Sequence, residues 1–188
     1  MTELGDLFAV DRGFDEDAAD REGKFYGKYR GTVVQNIDPL AIGRIQAIVP
    51  DVSNIVPTSW CMPCAPWAGI QTGVYAVPPI GAGVWIEFEQ GDQDYPIWSG
   101  CWWGSAAEVP PMASATPAVI PHLVIQTPGQ SSLVISDAPG PTGGIQIRNK
   151  AAMILINETG ITISNGQGAT IQMTGPTTTV NAGALVVT

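Results

Sequence analysis

Cys61-Met62-Pro63-Cys64 carries the C-x-x-C spacing shared by zinc sites and thiol oxidoreductases. With Cys101 and the single histidine, His122, it gives a Cys3His ligand set on paper. A redox role needs the first cysteine at a helix N-terminus to lower its pKa, whereas Pro63 and Pro66 point to an irregular loop. The ordinary reading is reduced, partly buried cysteines packed beside tryptophans, with zinc or a Cys61–Cys64 disulfide as the alternatives. Glu87 and Glu89 fall on one face of an expected strand, but no sugar cleft surrounds them and an exposed face accounts for the pair. Gly81-x-Gly83 lacks the third glycine and the helix of a dinucleotide loop, and reads as a tight turn. Asp92-Gln93-Asp94 opens like a calcium loop, yet Ile97 and Trp103 stand where that loop needs Gly and Glu. His122 has no nucleophile motif beside it, and Asn157-Glu158-Thr159 matches a glycosylation pattern that matters only after secretion. No catalytic, cofactor-binding or metal-ligating residue is therefore assigned. The expectation is no turnover and no required metal, with Cys61, Cys64, Cys101 and His122 as the ligands to test.

The elements that would position such residues are constrained by composition. The chain has 188 residues and a net charge of −9, so it has no electrostatic footprint for a phosphate backbone. With 22 Gly and 16 Pro, long helices are disfavoured. Three cysteines cannot all be paired within one chain. No apolar run approaches a membrane span, and the first residues are acidic rather than basic and apolar. Synthesis and retention in the cytoplasm, without a signal peptide, is the expectation.

Aromatic content divides the chain. Residues 1–23 form an acidic arm whose Leu4, Leu7, Phe8, Val10 and Phe14 could make one amphipathic turn; plain disorder is the alternative. Residues 24–104 hold every Trp, and 105–117 are a Pro-stiffened linker. Residues 118–188 contain no Trp, Tyr or Phe. In the middle region Tyr29, Gly31 and Val33, then Ile45, Ala47 and Val49, then Val84, Ile86 and Phe88 alternate with their neighbours. Short strands with Gly/Pro punctuation predict a small Greek-key barrel or sandwich. The tail repeats aliphatic doublets at period two: Leu123/Ile125, Leu133/Ile135, Ile145/Ile147, Ile154/Ile156, Ile161/Ile163, Ile171/Met173 and Leu185/Val187. This cadence predicts a β-solenoid or β-prism. From Ser105 on, the only charges are Glu108, Asp137, Arg148, Lys150 and Glu158. So few charges and no aromatic bulk suggest a core that one chain cannot close, hence three chains wound together.

Tyr29-Arg30-Gly31-Thr32-Val33-Val34, Asp38-Pro39 and Gly43-Arg44-Ile45-Gln46-Ala47 resemble the first hairpin of the phage-type baseplate spike OB domain. That family includes the baseplate assembly protein V group and the spikes of contractile injection and type VI secretion systems. The likeness continues through Trp67-Ala68-Gly69, Pro79 to Glu89, Gly91-Asp92 and Pro96 to Gly100. Gly160 to Ile163, Ser164-Asn165-Gly166, Gly175-Pro176 and Gly183-Ala184-Leu185 are similar to the triple-stranded β-helix of such spikes. The resemblance implies an all-β homotrimer, an OB-fold barrel followed by an intertwined trimeric β-helix. It implies a structural central spike of a phage, tailocin or other particle, attached to a hub at its OB end and piercing the target envelope. A proline-alanine-alanine-arginine (PAAR) tip protein at the C-terminal end is the further implied partner, since Gly183 to Thr188 lack the His-x-His ligands of iron-tipped relatives. The linker is too short for the lysozyme domain of some phage spikes. The alternative is an OB-type module binding oligonucleotides or oligosaccharides, with the tryptophans as stacking platforms. Against it, residues 24–104 hold Lys24, Lys28, Arg30 and Arg44 facing six acids, and that balance repels phosphate.

Overall fold

The computed structural model describes residues 23–188, so the acidic-arm reading of residues 1–23 falls almost wholly outside the described residues. The chain divides into two compact units with the break between Gly104 and Ser105. Among the described residues both are built of strands, joined by helical turns no longer than four residues.

Alternation of apolar and polar residues sets the first unit. β1 (Tyr29–Gln35), β2 (Gln46–Ile48), β3 (Met62–Pro63), β6 (Gly83–Phe88) and β7 (Pro96–Trp102) form a sheet of order β2-β1-β6-β7-β3, in which β3 runs parallel to β7. An antiparallel bridge between Ile45 and Cys61 then joins β3 back to the β2 segment, with N–H to O distances of 2.7 and 3.3 Å. This closes a five-stranded Greek-key ring, the OB architecture. The inward positions Val33, Ile45, Ala47, Val49, Val84 and Ile86 are at most 1 % exposed, and Phe88 seals one end against Phe25 and Tyr29. A Cβ on Gly83 would lie 2.6 Å from the Trp102 indole, so this strand start must be glycine for the ring to pack. β4 (Ala68–Gly69) and β5 (Thr72–Gly73) make a separate small hairpin.

The second unit is one antiparallel meander of eight strands. They are β8 (His122–Gln126), β9 (Ser131–Ser136), β10 (Gly144–Asn149), β11 (Ala152–Asn157), β12 (Gly160–Ser164), β13 (Thr170–Thr174), β14 (Thr177–Val180) and β15 (Leu185–Val187). Each strand pairs with its sequence neighbours, so the ladder hydrogen bonds are satisfied within one chain except at the outer edges of β8 and β15. What the chain leaves open is a face rather than a set of edges. The stretch expected as a linker carries a helical turn, Pro111–Ser114, packed on β8, with Met112 N donating to Gln126 Oε1 at 3.3 Å.

Candidate functional site

The residues with chemical potential do not converge. Cys61 is fully buried in the ring core, where burial pushes its thiol pKa up and its Sγ lies 3.1 Å from Thr58 Oγ1. Cys64 and Cys101 are exposed, so partial burial of all three cysteines is corrected to one buried and two exposed. Desolvation also raises the Cys101 thiol. The Cys61–Cys64 segment is extended, with Cys64 N donating to Trp98 O, and no helix N-terminus is present to stabilise a thiolate. His122 lies in the other unit, its Nδ1 2.8 Å from Ile120 O. Among the described residues no group of three or more His, Cys, Asp or Glu could hold a metal ion. Glu87 is ion-paired with Lys28, while Glu89 has left the strand for a 3-10 turn, so the two carboxylates do not share a strand face. Asp92 Oδ1 accepts from Asp94 N at 3.0 Å, closing an Asx turn. Gly81, at φ +87°, donates to Val33 O in the turn that leads into β6.

Asp38 is the strongest electrostatic feature. Its side chain is 3 % exposed and accepts from Arg44 Nε and Nη2 at 3.0 and 2.7 Å, and from three backbone N–H groups. The guanidinium, with those N–H groups behind it, holds the carboxyl well below the usual carboxylate range. Arg44 also lies over the Trp60 ring, 5.2 Å from its centroid. This knot fixes the β1–β2 connection; it is structural.

The first unit bears an apolar cleft of about 1110 Å³ between Gly43, Cys64, Trp67, Tyr75 and Trp98. Its lining has no Asp, Glu, Lys, Arg or His, so it offers no acid–base pair. The chain carries no charged residue from Val52 to Ile86, and the β4–β5 hairpin in that run holds Ile70 out at 96 % exposure.

The second unit presents the largest feature. Register places every tail doublet on one face of the meander. One row runs Ile125, Leu133, Ile147, Ile154, Ile163, Ile171, Val180, Leu185; its companion runs Leu123, Ile135, Ile145, Ile156, Ile161, Met173, Thr178, Val187. In the single chain most of these side chains are exposed, Ile154 and Ile163 at 39 % and Ile125 at 58 %. On the opposite face Ser132, Val134 and Ser136 are buried. The apolar face is thus the more open one, an inversion that a water-facing sheet would not tolerate. Reading the doublets singly missed β14, whose Thr177-Thr178-Thr179-Val180 has no aliphatic pair; its β-branched run was the available signal.

A search of curated proteins gives no match. Two family models do match the chain. The type VI secretion system/phage-baseplate injector OB domain covers residues 29–103, the strands of the ring. The phage baseplate V C-terminal trimerisation domain covers residues 122–186, from β8 into β15 and hence nearly the whole aliphatic ladder. The two matched models fall one on each unit, an OB domain and a trimerisation domain, and the chain belongs to the phage baseplate V spike family, with a structural, homotrimeric role.

Proposed function

We propose that three copies form the axial needle of a contractile-tail or injection-system baseplate, held by a hub at the OB end and driven tail-first through the target envelope. The observation that carries this reading is the exposed two-row ladder, which only a closed assembly buries. Full burial of one Ile side chain contributes roughly 1.5–3 kcal/mol, and each ladder residue recurs in all three copies. Eight strands at a spacing of about 4.8 Å make a ladder about 34 Å long, close to the thickness of a bilayer's hydrocarbon core. The charge-free stretch with exposed Trp67, Ile70 and Tyr75 supplies an apolar surface suited to permanent attachment to a hub. At the C-terminal end a separate PAAR-type tip remains the implied partner.

The oligonucleotide reading finds no support in the cations of the ring. Lys28 is ion-paired with Glu87, Arg44 with Asp38, and Arg30 lies 5.3 Å from the Trp102 ring centroid, which leaves Lys24 as one cation without an ion pair among the described residues. The needle reading is tested on assembled particles and dye-loaded vesicles of target-envelope lipid. Particles lacking this protein should fail to assemble or should contract without releasing dye. Normal assembly and release without it would sink the proposal. A hub that co-purifies equally with wild type and Ile70→Asp would remove the β4–β5 hairpin from the attachment surface.

A further inference from the structure

The turns of the meander alternate between two lateral margins of the sheet. The β8–β9, β10–β11, β12–β13 and β14–β15 connections fall on one margin, and the β9–β10, β11–β12 and β13–β14 connections on the other. The charges of β8–β15 and their turns sort by margin. Lys150 sits in the β10–β11 turn, and Arg148 lies near the same end of β10. Asp137 follows β9, and Glu158 occupies the β11–β12 turn, both on the opposite margin. The basic margin holds no Asp or Glu and the acidic margin no Lys or Arg, though His122, which opens β8 opposite Ser136, lies at the acidic margin. Within the chain these charges do not meet: the ion pairs of the described residues are Lys28–Glu87 and Arg44–Asp38. Asp137, Lys150 and Glu158 are exposed, and Glu158 Oε2 accepts from Gly140 N at 2.9 Å, which steadies its carboxylate at that margin.

A closed three-fold ring is heterologous, so one margin of each protomer meets the opposite margin of the next. Along the stack Lys150 lies between the levels of Asp137 and Glu158, one strand spacing of ~4.8 Å from Glu158 and about one and a half spacings from Asp137, whose N–H still donates to Pro121 O beside β8. We propose that adjacent copies in the trimer are joined margin to margin, with Lys150 of one copy ion-paired to the Asp137 and Glu158 carboxylates of its neighbour. The inference rests on the ladder face being the inside of the trimer. It adds what that face alone does not supply: polar contacts that join neighbouring copies along their margins and hold them at one level along the stack.

Cross-linking tests it in the full chain. Cys64→Ser and Cys101→Ser remove the exposed thiols, and Lys150→Cys is then combined with Glu158→Cys or, separately, with Asp137→Cys. The margins are separated by the length of the six-residue strand β10, about 20 Å, so a disulfide between them cannot form within one chain. Mild oxidation should convert at least one of the two variants to a covalent three-chain species on a non-reducing gel. Two-chain species alone, or none, from both variants would overturn the proposal. Should the cysteine variants fail to assemble, charge reversal decides. Lys150→Glu should shorten the trimer's half-life in denaturant several-fold, and adding Asp137→Lys with Glu158→Lys should restore it; equal half-lives throughout would overturn the pairing. A wild-type chain found monomeric by light scattering would instead refute the ladder reading, independently of the margins.

Discussion

At the residue scale, two side chains report on whether the OB ring is closed as described. Cys61 lies in the core with its thiol pKa raised by burial, while Cys64 is exposed on the apolar cleft. Iodoacetamide should therefore modify Cys64 in the native protein and reach Cys61 only on unfolding, as peptide mass spectrometry would show. Equal modification of both would mean that the Ile45–Cys61 bridge is open. Asp38 reports through pH. Its folded pKa lies below the unfolded value of about 3.9, so its stabilisation is complete above about pH 4 and is lost as pH falls below that. Asp38→Asn should lower the melting temperature of the first unit at neutral pH and flatten its fall between about pH 4 and pH 2. An unchanged acid limb would assign that fall to other carboxylates.

At the element scale, the meander depends on particular glycines. Gly160 opens β12 at φ +142°, and a Cβ there would lie 2.0 Å from Met173 O on β13. Gly160→Ala should destabilise the protein by about 1–3 kcal/mol per protomer through backbone displacement. Gly168→Ala, at φ +106° but with open space around it, should cost less. Unfolding rates in guanidinium would compare the two, and equal losses would contradict the β12–β13 register. Much of this element pattern was legible in the sequence. Each tail doublet became a strand, because period-two alternation survives whatever the turn between strands does. Four of the five ring strands were legible for the same reason, whereas β3 was not, because Pro63 and Pro66 read as an irregular loop. The union of the doublets into one face was not, because connections ranging from Gly175-Pro176 to Asp137–Gly143 hide a constant register behind irregular spacing. Strand β14 was hidden by threonine. The hairpin of β4 and β5 was hidden by Ala68, Gly69 and Gly73, which carry no strand signal. The scatter of Cys61, Cys64, Cys101 and His122 needed the fold, since only the Ile45–Cys61 bridge turns the first cysteine inward.

At the scale of the whole molecule, hydrogen bonding and hydrophobic burial are divided between chain and assembly. One chain satisfies its own ladder hydrogen bonds between strands, and in the proposed needle three chains together bury the aliphatic face. Dissociation would expose all of those rows at once, so the tail should resist heat and denaturant kinetically. The buried core cluster lies wholly within the first unit, so damage to the ladder should spare the ring. Ile163 lies mid-ladder between Ile154 and Ile171, and Ile163→Asp would place three like charges in the apolar interior. The most direct test is the solution mass of wild type and Ile163→Asp by multi-angle light scattering. With a chain of 19.7 kDa, wild type should give about 59 kDa, three times the chain mass, and the variant about 19.7 kDa with the near-ultraviolet signal of its tryptophans retained. A variant that stays at about 59 kDa and resists heat like wild type would contradict burial of the ladder face inside the trimer.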